Sequence, residues 1–202
     1  LIWSDEMRIK ALTLILILMI PGCLSGDEEI TFNGRDLGGN DTYKFTLEDA
    51  QGPLWSLEDQ EGKVVILVFI FTRCDDTCPV TSHNIKMVKD SLSDDELAKT
   101  SFVSITVDWR HDSPAKLRNY SADFGFDWPH LTGAKEYLDP IYENYGVFPY
   151  EEADDSEEGY SVAHPSPTYI LDTKGNGRVV WSDYDFPTDL FLEDLRTVIK
   201  HY

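Results

Sequence analysis

The apolar run VVILVFIF, residues 64–71, is the feature that most constrains the fold. A continuous stretch of β-branched, aromatic and leucine residues is typical of a strand buried on both faces of a sheet. The segment FTRCDDTCPV follows at residues 71–80, and Pro79 suits the first turn of a helix. Two cysteines, Cys74 and Cys78, therefore lie where a central strand gives way to a helix, and open α/β sheets place their functional sites there.

The rest of the chain alternates between strand and helix patterns. Helices are predicted from Val80 to about Leu97, from Pro114 to Phe124, after Gly133 with a disturbance at Pro140, and from Thr188 to Lys200. Further strands are predicted in SFVSITV, PTYILD and RVVWSDY, and YKFTLEDAQGPLWSLED predicts a hairpin around its Gln-Gly-Pro turn. This order predicts an α/β fold with a central mixed sheet flanked by helices and an N-terminal β-hairpin extension.

The charge of the chain is strongly acidic. Thirty-seven Asp and Glu residues against 17 Lys and Arg residues give a formal net charge of −20. Such a surface repels phosphates, so a nucleic-acid partner is excluded. Two explanations stay open: adaptation to salt, in which acidic charge maintains solubility, and electrostatic steering toward a basic partner or a metal cation.

Residues 1–22 have the pattern of a prokaryotic signal peptide, with a start at Met7. A short basic region precedes the apolar run 11–20, which is shorter than the roughly 20 residues that a helix needs to cross a bilayer. The following IPGC resembles a lipobox, which implies cleavage before Cys23 and lipidation of its sulfur. An uncleaved anchor would also place the rest of the chain outside the cytoplasmic membrane.

The polar, glycine-rich residues 23–41 predict a flexible tether. Residues 42–202 are then predicted to form the folded domain. Because the chain has three cysteines and Cys23 is assigned to the lipid, Cys74 and Cys78 are left as a pair.

Three roles are open to the pair Cys74 and Cys78: electron exchange, a structural disulfide, or metal binding. Unsatisfied N–H groups and the positive dipole end of a helix favour thiolate over thiol. Residues i and i+4 on a helix have Cβ atoms about 5–6 Å apart, whereas a disulfide requires about 3.8 Å. A metal spans the wider gap easily, although a loop residue could fold to allow the disulfide.

His164 is the candidate third ligand. It lies in SVAHPSPTYILD, just before a strand that is expected beside the cysteine-bearing strand. Strand, loop, cysteine and helix, with a closing hairpin and helix, form the thioredoxin-like arrangement. In such folds a loop proline, usually cis, contacts the cysteine pair. Pro167 stands in that position, and His164 is three residues ahead of it on the same loop.

Three segments together match one known pattern. FTRCDDTCPV contains C-x-x-x-C-P after an aromatic–Thr pair, VSITVDWRHDSP contains Asp108 followed by Asp-x-Pro at residues 112–114, and SVAHPSPTYILDTKG contains a distant histidine. Over about residues 42–200 the chain resembles the Sco/SenC family, the copper-handling proteins of cytochrome oxidase assembly. The resemblance implies that Cys74, Cys78 and His164 bind copper, as Cu(I) or Cu(II). It also implies a Cys74–Cys78 disulfide when the pair is oxidised.

Copper delivery is the function that this resemblance implies. Reduced Cys74 and Cys78, with His164, would pass copper to the dinuclear CuA site in the copper-containing subunit of a terminal oxidase. A lipid anchor would hold the protein at the outer face of the cytoplasmic membrane. Two thiolates and an imidazole suit three-coordinate Cu(I), whereas zinc prefers a fourth ligand. Asp108, after the second long strand, could add an oxygen to Cu(II), although a carboxylate there is also typical of a cap.

Two enzymatic functions compete with copper delivery. A thiol-disulfide oxidoreductase that reduces partner cysteines would use Cys74 and Cys78 as attacking and resolving thiols and would not need His164. A peroxiredoxin-like peroxidase agrees less well with the close spacing of the pair and the absence of another suitable cysteine. The sequence therefore predicts a copper metallochaperone, with the oxidoreductase as the alternative.

Overall fold

The centre of the molecule is a pair of parallel strands. The computed structural model describes residues 30–74, 77–153 and 159–202, with the side chain of Thr77 left out. All seven residues of strand β4, Val64–Ile70, are buried, and β4 pairs in parallel with β5, Thr100–Thr106. The fully buried strand predicted from the apolar run is confirmed.

Eight strands form the main sheet, in the order β1-β10-β9-β4-β5-β6-β2-β3. Besides β4 and β5 these are β1 Arg35–Asn40, β2 Thr46–Asp49, β3 Leu54–Ser56, β6 His130–Thr132, β9 Thr168–Leu171 and β10 Gly177–Trp181. Strands β4, β5 and β6 run parallel, and every other pairing in this sheet is antiparallel. The predicted mixed sheet and the β2–β3 hairpin are confirmed.

A second, two-stranded sheet stands apart from the main one. Strands β7 Tyr150–Ala153 and β8 Tyr160–Ala163 pair only with each other among the described residues. Every residue of β7 is exposed, whereas Tyr160 and Val162 of β8 are buried. We call this β7–β8 hairpin the arm, and the sequence analysis did not predict its two strands.

Five helices flank the main sheet in the described part of the chain: α1 Thr77–Asp90, α2 Asp94–Ala98, α3 Pro114–Phe124, α4 Lys135–Asn144 and α5 Thr188–His201. Helix α3 begins and ends as predicted, after the Ser113 cap and before Gly125, whose φ is 68°. Helix α4 contains Pro140, as expected. Within these residues no helix is both long and apolar enough to cross a membrane.

The single helix predicted from Val80 to Leu97 is wrong, because the structure divides it. Helix α1 ends at Asp90, and α2 begins after Ser93. The Ser93 hydroxyl accepts a hydrogen bond from the Glu96 N–H while the Glu96 carboxylate accepts one from the Ser93 N–H. This capping box is a strong signal for a new helix start, and it outweighs the continuous apolar spacing.

The tether predicted over residues 23–41 is too long. Residues 35–40 form β1, which pairs with β10, and the compact unit begins at Thr31. The backbone N–H groups of Asn33 and Gly34 donate to the buried Asp194 carboxylate at 2.7 and 2.8 Å. Backbone pairing holds this segment, so it needs no apolar pattern. Its register with β10 shifts between Asp36 and Asn40, where two glycines have positive φ.

The proposed signal peptide of residues 1–22, its start at Met7, Cys23 and the first part of the tether lie outside the described residues.

Candidate metal centre

The cysteine loop begins directly at the end of β4 and is tied to the end of β5. Asp112, in the loop after β5, is buried and accepts hydrogen bonds from the backbone N–H of Thr72 at 3.0 Å and from its hydroxyl at 2.5 Å. The Thr106 hydroxyl donates to the same carboxylate at 2.5 Å. Burial raises the pKa of Asp112 above its ordinary value of 3.8, and these hydrogen bonds act in the opposite direction. Asp112 therefore fixes the backbone two residues ahead of Cys74.

Cys74 and Cys78 differ in exposure. Cys78 is only 2% exposed at the start of α1, whereas Cys74 is half-buried. The backbone N–H of Cys78 donates to the Cys74 sulfur over 3.2 Å. A donor from the first turn of a helix stabilises negative charge on that sulfur, so the geometry favours a thiolate at Cys74.

His164 is brought to the same edge of the sheet as the cysteines. Strand β9 runs antiparallel to β4, with Thr168 opposite Val68, so the chain enters β9 at the end of the sheet where β4 leaves it. The ring of His164 contacts that of Phe71 edge-on, with centroids 5.8 Å apart. The expectation that the histidine-bearing loop leads into a neighbour of the cysteine strand is confirmed. No peptide bond among the described residues is cis, so Pro167 does not supply the cis loop proline expected by analogy.

The protonation of His164 leaves one ring nitrogen available as a ligand. Nδ1 lies 2.7 Å from the Pro165 carbonyl oxygen, which can only accept, so Nδ1 carries the proton. Burial lowers the pKa of His164 below its ordinary 6.5, while the Pro165 carbonyl and the negative charge of Cys74 act in the opposite direction. The imidazole is therefore neutral at pH 7, and Nε2 keeps the lone pair that a metal needs.

The three predicted ligands lie in one region, but their side chains are not close enough together to bind one metal ion. Over residues 30–74, 77–153 and 159–202, no three His, Cys, Asp or Glu side chains converge closely enough to hold a metal ion. Metal binding by Cys74, Cys78 and His164 therefore requires the imidazole and the two sulfurs to approach one another. The chemistry of the donors fits a soft metal, since it offers two sulfurs and one neutral imidazole.

Asp108, the possible fourth ligand, is already engaged. One carboxylate oxygen lies 2.8 Å from Nδ1 of His111, and the other accepts a hydrogen bond from the Tyr160 hydroxyl over 2.8 Å. The rings of His111 and Tyr160 stack with centroids 4.2 Å apart. Asp108 is 3% exposed. These contacts give the carboxylate a structural part, joining the loop after β5 to the arm.

The match to known proteins extends over most of the domain. The family model described as SCO1/SenC matches residues 36–200. The chain belongs to the SCO1/SenC family. A relative in Bacillus subtilis, the SCO1 protein homolog, is 28% identical over 197 residues, 95% of each chain. The solution structure of apo Sco1 from Thermus thermophilus gives a TM-score of 0.72 at 28% identity, over 84% of this chain and 98% of that one.

A copper-bound SCO1/SenC structure is also similar. Yeast Sco1 with copper bound gives a TM-score of 0.70 at 25% identity, over 81% of this chain and 90% of that one. The family membership and the thioredoxin-like fold predicted from the sequence are confirmed. Because the family match begins at residue 36, it also includes β1, which the predicted domain boundary had left out.

The sequence did not indicate two residues beside the SCO1/SenC motifs. Arg73 donates a hydrogen bond to the backbone oxygen of Tyr160, and its guanidinium lies over the Tyr160 ring with Cζ 4.3 Å from the centroid. The two residues are 87 positions apart, so no local sequence pattern connects them. Their only local signals are the place of Arg73 next to Cys74 and the start of a strand at Tyr160.

Proposed function

We propose that this protein binds copper through Cys74, Cys78 and His164 and delivers it to the CuA site of a terminal oxidase. The observation that carries the proposal is that a cysteine pair and a neutral imidazole, from segments far apart in the chain, lie at the same edge of the sheet. Membership of a family whose yeast relative was solved with copper bound supports the choice of metal.

The donor set favours copper over zinc. Two thiolates and one imidazole complete the three-coordinate shell of Cu(I), whereas Zn²⁺ would need a fourth donor. Asp108 is the nearest candidate for that donor in the sequence analysis, and both of its oxygens already accept hydrogen bonds. These hydrogen bonds argue against Asp108 as the oxygen ligand that the sequence analysis considered. The site then has three donors.

The unequal exposure of the sulfurs gives the transfer a direction. Cys78 is buried in the first turn of α1, and the half-buried Cys74 is the more accessible of the two. A ligand from the partner therefore reaches Cys74 first. That ligand would replace the Cys74 sulfur on copper before the Cys78 sulfur dissociates. A lipid on Cys23 would hold the domain at the outer face of the cytoplasmic membrane, beside the oxidase subunit.

Copper retention by reduced protein tests the proposal. The protein is loaded anaerobically with Cu(I) and titrated with a chelator, and His164→Ala is compared with the wild type. We expect a loss of affinity of about 100-fold or more, because changing residues that only support metal ligands already costs about 10–100-fold. His83→Ala is the matched control, since His83 is exposed on α1. A wild type that retains no copper overturns the delivery function, and an unaffected His164→Ala variant removes His164 from the site.

Thiol-disulfide exchange is the second candidate, favoured by the hydrogen bond from the Cys78 N–H to the Cys74 sulfur. The Cys74 thiolate would attack a partner disulfide and displace one partner thiolate. Cys78, losing its proton to solvent, would then attack Cys74 in the mixed disulfide and release the second partner thiolate. The partner gains two electrons, and this chain ends with a Cys74–Cys78 disulfide. His164→Ala should leave this reduction intact, which separates the two functions.

A further inference from the structure

The arm is the part of the candidate centre that needs outside support. Its two strands pair only with each other among the described residues, and an isolated two-stranded hairpin is marginally stable in water. Strand β8 begins at Tyr160 and ends at Ala163, so His164 follows it directly. Whatever holds Tyr160 in place therefore sets where one end of the His164 segment lies.

Arg73 and Tyr160 make a two-part contact between the cysteine loop and the arm. The guanidinium donates to the Tyr160 carbonyl oxygen and lies over its ring, with Cζ 4.3 Å from the centroid. The opposite end of the Tyr160 side chain donates to Asp108 over 2.8 Å. Tyr160 is 9% exposed, so this contact is largely shielded from water.

We infer that Arg73 and Tyr160 are positioning residues that hold His164 within reach of Cys74. Arg73 precedes Cys74 directly, and Tyr160 is four residues before His164. The contact thus joins the neighbour of one proposed copper ligand to the strand that leads to another. This inference rests on the proposed function, because it gives the contact its purpose.

The contact uses properties that lysine lacks. A guanidinium is planar, so it can stack on a phenol ring and donate from its edge to a carbonyl at the same time. A lysine ammonium carries the same charge but offers no flat face. Comparing Arg73→Lys with Arg73→Met therefore separates the shape of the guanidinium from its charge.

Copper affinity of reduced protein is the first readout. We expect Arg73→Met to weaken Cu(I) retention against a chelator by about 10-fold, within the range for outer-shell changes at metal sites. We expect Arg73→Lys to fall between Arg73→Met and the wild type. If Arg73→Lys retains copper like the wild type, charge alone suffices and the stacking role is overturned.

Arg178→Met is the matched control. Arg178 lies over the ring of Tyr202 with Cζ 3.8 Å from the centroid, and it pairs with Asp172. Asp172 directly follows β9, whose Leu171 pairs with Val65, so this stack is at the other end of β4 from the cysteines. Its removal should lower stability without changing copper affinity. An equal loss of copper in Arg178→Met would assign the Arg73 effect to general destabilisation and overturn the inference.

A double-mutant cycle tests whether Arg73 acts through His164. If it does, Arg73→Met should cause no further loss of copper affinity in a His164→Ala background. A full additional 10-fold loss in that background would mean that Arg73 acts elsewhere, and the inference would fall.

A metal-free readout keeps the inference separate from the proposed function. The rings of Phe71 and His164 contact each other, and a nuclear Overhauser effect between them reports the position of His164 in apo protein. Arg73→Met should abolish this signal, and Arg178→Met should preserve it. If the wild type binds no copper, the proposed function fails while this measurement still decides the positioning role. A signal unchanged in Arg73→Met overturns that role.

Discussion

The cysteine loop and the arm support the candidate centre in opposite ways. The loop continues from a strand whose seven residues are all buried, and Asp112 ties it to β5 by accepting two hydrogen bonds from Thr72 and one from Thr106. The arm is a separate two-stranded sheet with one wholly exposed strand. The two cysteines thus lie on a loop and a helix that continue directly from the sheet, whereas the strand before His164 is held through a few side-chain contacts.

This difference would let the fixed cysteines retain a metal while movement of the His164 segment allows its release. A site with every ligand fixed in the sheet would bind tightly and exchange slowly, because opening it would require unfolding. A ligand on a locally held segment can move without disturbing the core, since opening of such segments costs less than global unfolding. The comparison predicts that substitutions beside the cysteine loop change the stability of the whole domain. Substitutions in the arm should change only the local stability of the arm.

The largest effect is expected from Asp112→Ala. This change removes the acceptor of three hydrogen bonds, two from the half-buried Thr72 and one from the buried Thr106. Because each unsatisfied buried group costs about 1–3 kcal/mol, we expect a loss of about 3 kcal/mol in the free energy of unfolding. Urea denaturation measures it, with the exposed Asp123→Ala as control. A loss as small as in that control would show that the loop is not fixed by the sheet.

The next effect is a loss of stability in acid that arises from His130. Burial lowers its folded-state pKa from 6.5 to about 4, so between these values the unfolded chain binds the proton first. Stability therefore falls as the pH drops below 6.5 and levels off near 4, by about 2 kcal/mol between pH 7 and 5. His130→Asn should lack this component in denaturation curves at the two pH values. Equal pH dependence in both proteins would contradict the assignment.

A smaller and local effect is expected from Tyr160→Phe. It removes the hydrogen bond from the Tyr160 hydroxyl to Asp108 and keeps the ring, which costs about 1 kcal/mol. Amide hydrogen exchange should accelerate in β8 and stay unchanged in β4. Equal acceleration in both strands would mean that the arm and the main sheet open as one unit, and the contrast between the two regions would be lost.

The smallest effect is expected from Arg196→Ala. Arg196 pairs with Glu96 at 2.7 Å on the surface, far along the chain from both ligand segments. Exposed ion pairs contribute about 0–1 kcal/mol, so thermal unfolding should shift only slightly. This variant sets the baseline for the other three. A loss of stability as large as that of Asp112→Ala would show that this surface ion pair contributes as much as the hydrogen bonds to Asp112.

The sequence predicted the cysteine side of the centre better than the arm. An unbroken apolar run determines a buried strand by itself, and the proline after Cys78 marks the helix that follows it. The placement of His164 at this edge was also predictable, because a neighbour that runs antiparallel to β4 brings its preceding loop to the edge where β4 ends.

The arm and β1 escaped prediction because distant partners hold them. Tyr160 is fixed by Arg73 and Asp108, and β1 by pairing with β10 and by hydrogen bonds to Asp194. Strand β1 has no apolar periodicity of its own, and the apolar alternation in β8 extends over only Tyr160 and Val162. The break between α1 and α2 was different, since its signal, Ser93 with Glu96 three residues on, was present in the sequence and was outweighed by the apolar spacing.

The outer strands of the main sheet also influence how the protein behaves at high concentration. Strand β3 has only three residues, and β1 is interrupted where Gly38 and Gly39 have φ of 67° and 74°. Short or kinked edge strands are poor templates for pairing with another chain. The shape of these two strands therefore disfavours edge-to-edge pairing between molecules. The large negative charge adds repulsion between copies of the protein.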